Sequence, residues 1–233
     1  MSSLIFHTDE ELALVATDTL AGSVDGNVPF KFTTKAFPVP HLKMIVASTG
    51  IGGFGLSWFI QICDNVVVED VEHLNYHAPG VLLKLWRQFE QLNAIKNNLT
   101  ATVYHFGFAQ STGHIKSYAY RSTNDFASEQ LKYGLGVKPP LPNQEEYYQF
   151  PLNVKKIMDA QRAIEHAKPQ KDRLLIGGEI HVLVLDKNGF TISTEDRFDD
   201  YGRAREDPST TRPDQEPREY LPQRERVAWL VVT

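Results

Sequence analysis

Cysteine is nearly absent from this chain: Cys63 is the only one among 233 residues. A single thiol closes no internal disulfide, so the fold must hold by its core, and a reduced, cytoplasmic compartment is expected. A basic excess is also lacking. Lys and Arg total 24 against 29 Asp and Glu, leaving a formal charge of −5. That balance excludes the basic stripe of a dedicated nucleic-acid binder. The first Lys or Arg is Lys31, so the start has no charged n-region of a secretory signal. Uninterrupted apolar runs of membrane length are missing too. Residues 44–63 carry no charge, but Gly50, Gly52, Gly53 and Gly55 break the run, with Ser48, Thr49, Ser57 and Gln61 beside them. A buried strand, a glycine turn and a helix account for it better than a membrane span. Zinc chemistry lacks ligands: His73 and His77 have i, i+4 spacing with no cysteine nearby, and His105 and His114 sit near the mouth of an expected hairpin.

What is present is enough apolar sequence for a sizeable core, 42% of the chain. The pattern predicts strands over residues 3–8, 12–19 and 43–48, with a turn at Asp25-Gly26-Asn27. A short helix is expected over 56–63. A second starts at Pro79, with Val81, Leu82, Leu85, Trp86, Phe89 and Leu92 on one face. Residues 100–108 and 114–120 read as a hairpin, and 125–133 as a further strand. Residues 153–167 read as a helix presenting Val154, Ile157, Met158 and Ile164, and a last hairpin turns at Lys187-Asn188-Gly189. Strands, helices, strands, helix, strands is an α+β order with antiparallel pairing rather than regular βαβ alternation. Residues 1–198 form the expected domain. Beyond them, half of the 28 positions from Asp199 to Arg226 are charged and four are proline, the composition of a disordered tail. An apolar end, Val227 to Thr233, has strand propensity and suits a sheet edge or a neighbouring subunit.

Two constellations carry chemistry. Gly50-Ile51-Gly52-Gly53-Phe54-Gly55 matches G-x-G-x-x-G after a strand, with Asp70 twenty residues on. That is the local pattern of a dinucleotide site, but the surrounding hairpins do not supply a βαβ unit, and glycines also permit close strand–helix packing. The other constellation is the N-terminus. Small residues follow Met1, so loss of the initiator methionine would leave Ser2 with a free α-amine and a hydroxyl. An α-amine of pKa about 8 can accept a proton near neutrality. Beside it, a hydroxyl becomes an activated nucleophile.

Read from Ser2, the opening Ser2-Ser3-Leu4-Ile5-Phe6 through Ala16-Thr17-Asp18-Thr19 resembles that of proteasome β-subunits, which are N-terminal-nucleophile hydrolases. Lys35 before an alternating strand, and the strand Met44 to Thr49 with its turn at Gly50, follow in the same order. Tyr104 to Tyr120, Gly134-Leu135-Gly136, Ile176-Gly177-Gly178 and Asp186 to Phe190 resemble later motifs, and Asp196 follows at a plausible end. The likeness covers residues 2–198. It implies a four-layer αββα sandwich and a proteasome-like amide or peptide-bond hydrolase. In that reading Ser2 is the nucleophile, Lys35 a fixed positive charge and Asp18 its partner, while backbone N–H groups at Thr49 and Gly50 form the oxyanion hole. The implied substrate is a peptide or amide and the implied assembly a homo-oligomer, with a ring as one form of it. No metal, cofactor, nucleic acid or membrane takes part.

The chain departs from the family pattern at Leu135 and Ile176, where the family carries serines that support the nucleophile. It also departs at the acidic position upstream of the glycine pair, where Asp172 or Arg173 stands. These departures keep open a non-catalytic, ring-forming or scaffold member of the same fold. An ordinary structural ion pair is the plain alternative for Asp18 and Lys35. A dinucleotide-binding oxidoreductase is the third reading.

Overall fold

The computed structural model describes residues 3–22, 29–93, 99–147, 152–169, 172–199 and 201. Antiparallel pairing dominates. β1 (Leu4–Thr8) and β2 (Ala13–Asp18) form a hairpin in which Leu4 faces Thr17 and Thr8 faces Ala13. Its turn is held by Asp9, whose carboxylate accepts from the Glu11 and Leu12 N–H groups, an Asx turn. The near-continuous apolar reading of these strands is explained by burial on both faces, since Leu4, Ile5, Ala13, Val15 and Ala16 are all fully enclosed. β3 (Leu20–Gly22) and β4 (Pro29–Phe32) pair with each other alone. The turn expected at Asp25-Gly26-Asn27 lies outside the described residues.

A second sheet follows. β5 (Ala36–Val39), β6 (Met44–Gly50), β7 (Ala101–Phe108), β8 (Ile115–Arg121) and β9 (Ser128–Gln130) are hydrogen-bonded in chain order. The last strands return to the first sheet. β10 (Gly134–Lys138), β11 (Glu179–Asp186) and β12 (Gly189–Arg197) give it the order β10-β1-β2-β11-β12. Helices α1 (Phe54–Asn65) and α2 (Val71–Asn93) follow β6, and α3 (Val154–His166) precedes β11.

Three apolar clusters show what packs on what. One gathers Leu4, Val15, Ile45, Ala47, Tyr104, Phe106, Leu183 and Leu185 from strands of both sheets. A second joins Val46, Val103 and Tyr120 of the second sheet to Phe54, Trp58, Leu74, Leu82 and Trp86 of α1 and α2. The third joins Ile5, Ala16, Ile180 and Val182 of the first sheet to Val154, Ile157 and Met158 of α3. Period-two alternation sends Val46 to the helices and its neighbours Ile45 and Ala47 to the other sheet. Burying a large side chain contributes about 1.5–3 kcal/mol, so Trp58, Phe54 and Phe106, all fully buried, anchor these layers.

Several sequence expectations need correction. α2 starts at Val71, eight residues before Pro79. Its start is fixed by Asp70, whose Oδ1 accepts from His73 N–H at 2.8 Å, and tertiary burial of Val71, Leu74, Ala78 and Leu82 outweighs the interior proline. Of the strand expected over 125–133 only the three-residue β9 forms, after a 3₁₀ turn at Ser122–Asn124. Gly134-Leu135-Gly136 forms no turn. It lies in β10, where Leu135 faces His7 and Gly136 faces Phe6. On α3, Ile164 is 37% exposed while Gln161 and Glu165 are buried. The last hairpin, expected to turn at Lys187-Asn188-Gly189, runs from Glu179 at the start of β11 to Arg197 at the end of β12. Phe198 joins the α3 cluster and Tyr201 packs its ring on Phe32, so the described fold passes the expected boundary at 198 by a few residues. Beyond Tyr201 the tail, with its apolar end, lies outside the described residues. No helix among them is long and apolar enough to cross a membrane.

Candidate functional site

The glycine motif is explained by packing. Gly50 closes β6 with φ 104°, and a Cβ there would meet the Thr100 carbonyl oxygen at 2.1 Å. At Gly55, in the first turn of α1, a Cβ would stand 1.8 Å from the Ser48 hydroxyl. Only glycine lets β6, β7 and α1 come this close. β6 lies between antiparallel neighbours, so the loop opens no βαβ unit. Asp70, the would-be ribose acid, is occupied: it caps α2 and accepts from Gln110 N–H at 2.7 Å. The chain does not place these residues as a dinucleotide site requires.

The second constellation converges. Asp18 ends β2 with no exposed surface, and Lys35, just before β5, is 6% exposed. Lys35 Nζ donates to Asp18 Oδ1 at 2.8 Å and to the Leu20 carbonyl at 2.6 Å. The Ser3 N–H donates to the same Asp18 Oδ1 at 2.9 Å. The ammonium therefore sits beside the peptide unit that joins Ser2 to Ser3. Asp18 Oδ2 accepts from Gly177 N–H at 3.1 Å, which brings the glycine pair against the carboxylate. Gly178 has φ 83°, and a Cβ there would strike the Thr19 hydroxyl at 2.3 Å. Burial lowers the Lys35 ammonium below its ordinary pKa, while the charge and hydrogen bond of Asp18 oppose the shift. Ser2 itself lies outside the described residues.

α3 supplies a contact that the sequence reading missed. Gln161, 1% exposed, accepts from the Ser3 hydroxyl through Oε1 at 2.5 Å and donates to the Pro139 carbonyl through Nε2 at 2.6 Å. Both ends of a buried amide are thus satisfied, and the start of β1 is clamped to α3. The available signal was a polar residue at an apolar-face position, Val154-x-x-Ile157-Met158-x-x-Gln161.

At Thr49 and Gly50 the ladder separates the two N–H groups. Ser48 N–H donates to the Lys35 carbonyl and Ile51 N–H to the Thr100 carbonyl. Alternation then turns Thr49 N–H toward Thr102 on β7. It turns Gly50 N–H to the side of Lys35, beyond the first residue of β5.

The other motif residues divide. Ile176 is 3% exposed in the α3 cluster and offers no hydroxyl to the carboxylate. Leu135 pairs with His7, five positions along β1 from Ser2. Asp172 is exposed. Arg173 turns toward the end of α3, donating to the His166 and Lys168 carbonyls. Asp196 faces Ile180 across β11 and β12. Among the described residues no group of three or more His, Cys, Asp or Glu gathers as a metal set.

The two antiparallel sheets in this strand order, with helices packed on them, support a proteasome-like fold. One solved structure that the chain resembles is Anbu (ancestral beta-subunit) from Yersinia bercovieri, with a TM-score of 0.54 and 12% sequence identity. The match covers 88% of this chain and 91% of that one. No protein-family model matches the sequence, and no curated protein does.

Proposed function

We propose that this chain is an N-terminal-nucleophile amide or peptide-bond hydrolase of proteasome-like type, acting through Ser2 after removal of Met1. The observation that carries the reading is the shared acceptor: Ser3 N–H and the buried Lys35 ammonium meet on Asp18 Oδ1. That geometry sets a fixed charge against the first peptide unit of the mature chain. The three apolar clusters support the finer architecture, with α1 and α2 outside one sheet and α3 outside the other in an αββα sandwich. The neighbour's description as a subunit supports self-assembly, with a homo-oligomeric ring as the proposed form.

The chemistry follows from the residues. The Ser2 α-amine takes the hydroxyl proton, directly or through water, as Ser2 Oγ bonds to the substrate carbonyl carbon. The carbonyl oxygen becomes an oxyanion, and Gly50 N–H is the donor placed to meet it. Thr49 N–H, turned into the ladder, is not. Collapse breaks the carbon–nitrogen bond, and the α-ammonium gives its proton to the leaving amine. Water then attacks the ester, the amine accepts its proton, and Ser2 Oγ departs as a hydroxyl. Lys35 holds the amine neutral by charge, and Asp18, with Leu20 O, holds Lys35. No metal or cofactor enters these steps.

A fluorogenic peptide-amide panel tests this. Cleavage is expected in protein whose intact mass corresponds to a start at Ser2, and none after Ser2→Ala. Retained Met1 together with no cleavage would overturn it. Ile176, apolar where the family carries a hydroxyl, supports the second reading of a non-catalytic scaffold member, which that result would leave standing.

A further inference from the structure

Lys138, the last residue of β10, stands beside the same site with a charge that no carboxylate among the described residues answers. It is the cross-strand partner of Leu4, and Leu4 belongs to the cluster between the sheets, so the Lys138 side chain shares that face. Its ammonium crosses to the other sheet and donates to the Thr102 hydroxyl at 2.9 Å. It also lies 5.8 Å from the centre of the Tyr104 ring. Thr102 is the register partner of Thr49, one residue before Gly50. The ammonium therefore reaches the row of side chains next to the proposed oxyanion donor. Leu4, its strand partner, is two residues from Ser2.

The neighbouring charges leave Lys138 uncompensated. Lys35 is matched by Asp18, and Arg121 is matched by Glu129. Among the described residues no carboxylate contacts Lys138. Burial and the nearby Arg121 push its pKa down to about 8. One of three ammonium donors is used on Thr102, which leaves two for a ligand. A half-buried cation with spare donors favours an anion beside it.

We propose that Lys138 is a specificity-determining residue that receives the carboxylate of an acidic side chain next to the scissile bond, so that the site selects Glu- or Asp-containing peptides. This rests on the Ser2 reading for the position of the scissile bond, and the test separates the two.

Ser2→Ala protein, which needs no turnover, is titrated calorimetrically with acetyl-Ala-Ala-Glu-Ala-Ala-amide and with its Gln and Lys counterparts. The Glu peptide is expected to bind at least about tenfold tighter than the Gln peptide, the Lys peptide weakest, as a charge-assisted contact requires. Lys138→Met should erase the Glu–Gln difference while leaving Gln-peptide binding in place, and Lys138→Arg should keep it. Equal binding of Glu and Gln peptides, a preference that survives Lys138→Met, or no binding of any peptide overturns the assignment. Wild-type protein is assayed for cleavage of the same peptides in parallel. A Glu preference in binding without cleavage would refute the hydrolase and retain the anion subsite. Cleavage without a Glu preference would do the reverse.

Discussion

Replacing Lys35 with Met removes one charge from a pair that has almost no contact with water. Asp18 is fully enclosed and Lys35 6% exposed. Without the ammonium, the carboxylate keeps two backbone donors, Ser3 N–H at 2.9 Å and Gly177 N–H at 3.1 Å. Breaking a buried pair by removing one partner costs about 3–5 kcal/mol. The two remaining donors place this case near the lower end, at about 3 kcal/mol. Leu20 O also loses its partner. Replacing both residues, Asp18→Asn with Lys35→Met, removes the stranded charge. The asparagine still accepts from one backbone donor but presents an NH₂ to the other, which costs about 1 kcal/mol. The double variant should therefore recover about 2 kcal/mol relative to Lys35→Met alone. Urea unfolding followed by tryptophan fluorescence reads both, with an unchanged m-value showing that the unfolded state is unaltered. A double variant as unstable as the single one would refute the argument. So would a single variant within about 0.5 kcal/mol of wild type, the range of ordinary surface changes.

His105 gives a pH test. It is fully buried, and its Nε2 accepts from the Trp58 indole N–H at 2.8 Å, so the ring is neutral with its proton on Nδ1. Burial lowers its pKa to about 3. Its contribution is complete above the unfolded value near 6.5 and is lost as pH falls toward 3, at up to about 1.4 kcal/mol per pH unit. His105→Gln should flatten that acid limb in urea titrations, and an unchanged limb would contradict it. Gly50→Ala forces a side chain into φ 104° and against Thr100 O, so a loss of about 1–3 kcal/mol is expected in thermal melts, and a neutral result would show that the loop is not strained. Ending the chain after Tyr201 should leave the melting temperature of the core unchanged, whereas unfolding would make residues 202–233 part of the domain.

The hairpins were legible because alternation and turn chemistry are local. α3 was legible from Val154, Ile157 and Met158 at helical spacing, and the structure adds its cap: the Asn153 side chain accepts from Lys156 N–H. The α2 start was not legible, since Pro79 mimics a first-turn proline while the true start is capped by Asp70, itself held by a long-range bond from Gln110 N–H. Asp18 and Lys35 were visible only through the likeness of their segments to the family, and their meeting on one oxygen depends on β2 and the approach to β5 being brought together in three dimensions. Gln161 hid because a buried glutamine on an apolar face reads as a helix surface residue until Ser3 is placed against it. Leu135 misled for the opposite reason: a short Gly-x-Gly string is compatible with a strand, and only its pairing with His7 shows which it is. Lys138 carries no motif at all. Its interest comes from the lack of an acidic neighbour among the described residues, which only the fold reveals.

The central claim is that Ser2 is a nucleophile tuned by Lys35. It is tested most directly by incubating purified full-length protein with a peptide epoxyketone, which bonds to both the hydroxyl and the α-amine of an N-terminal nucleophile, and locating the adduct by peptide mass spectrometry. One equivalent on Ser2 is expected in wild type, with none in Ser2→Ala and little in Lys35→Ala. Wild-type protein that begins at Ser2, is folded and acquires no adduct would contradict it.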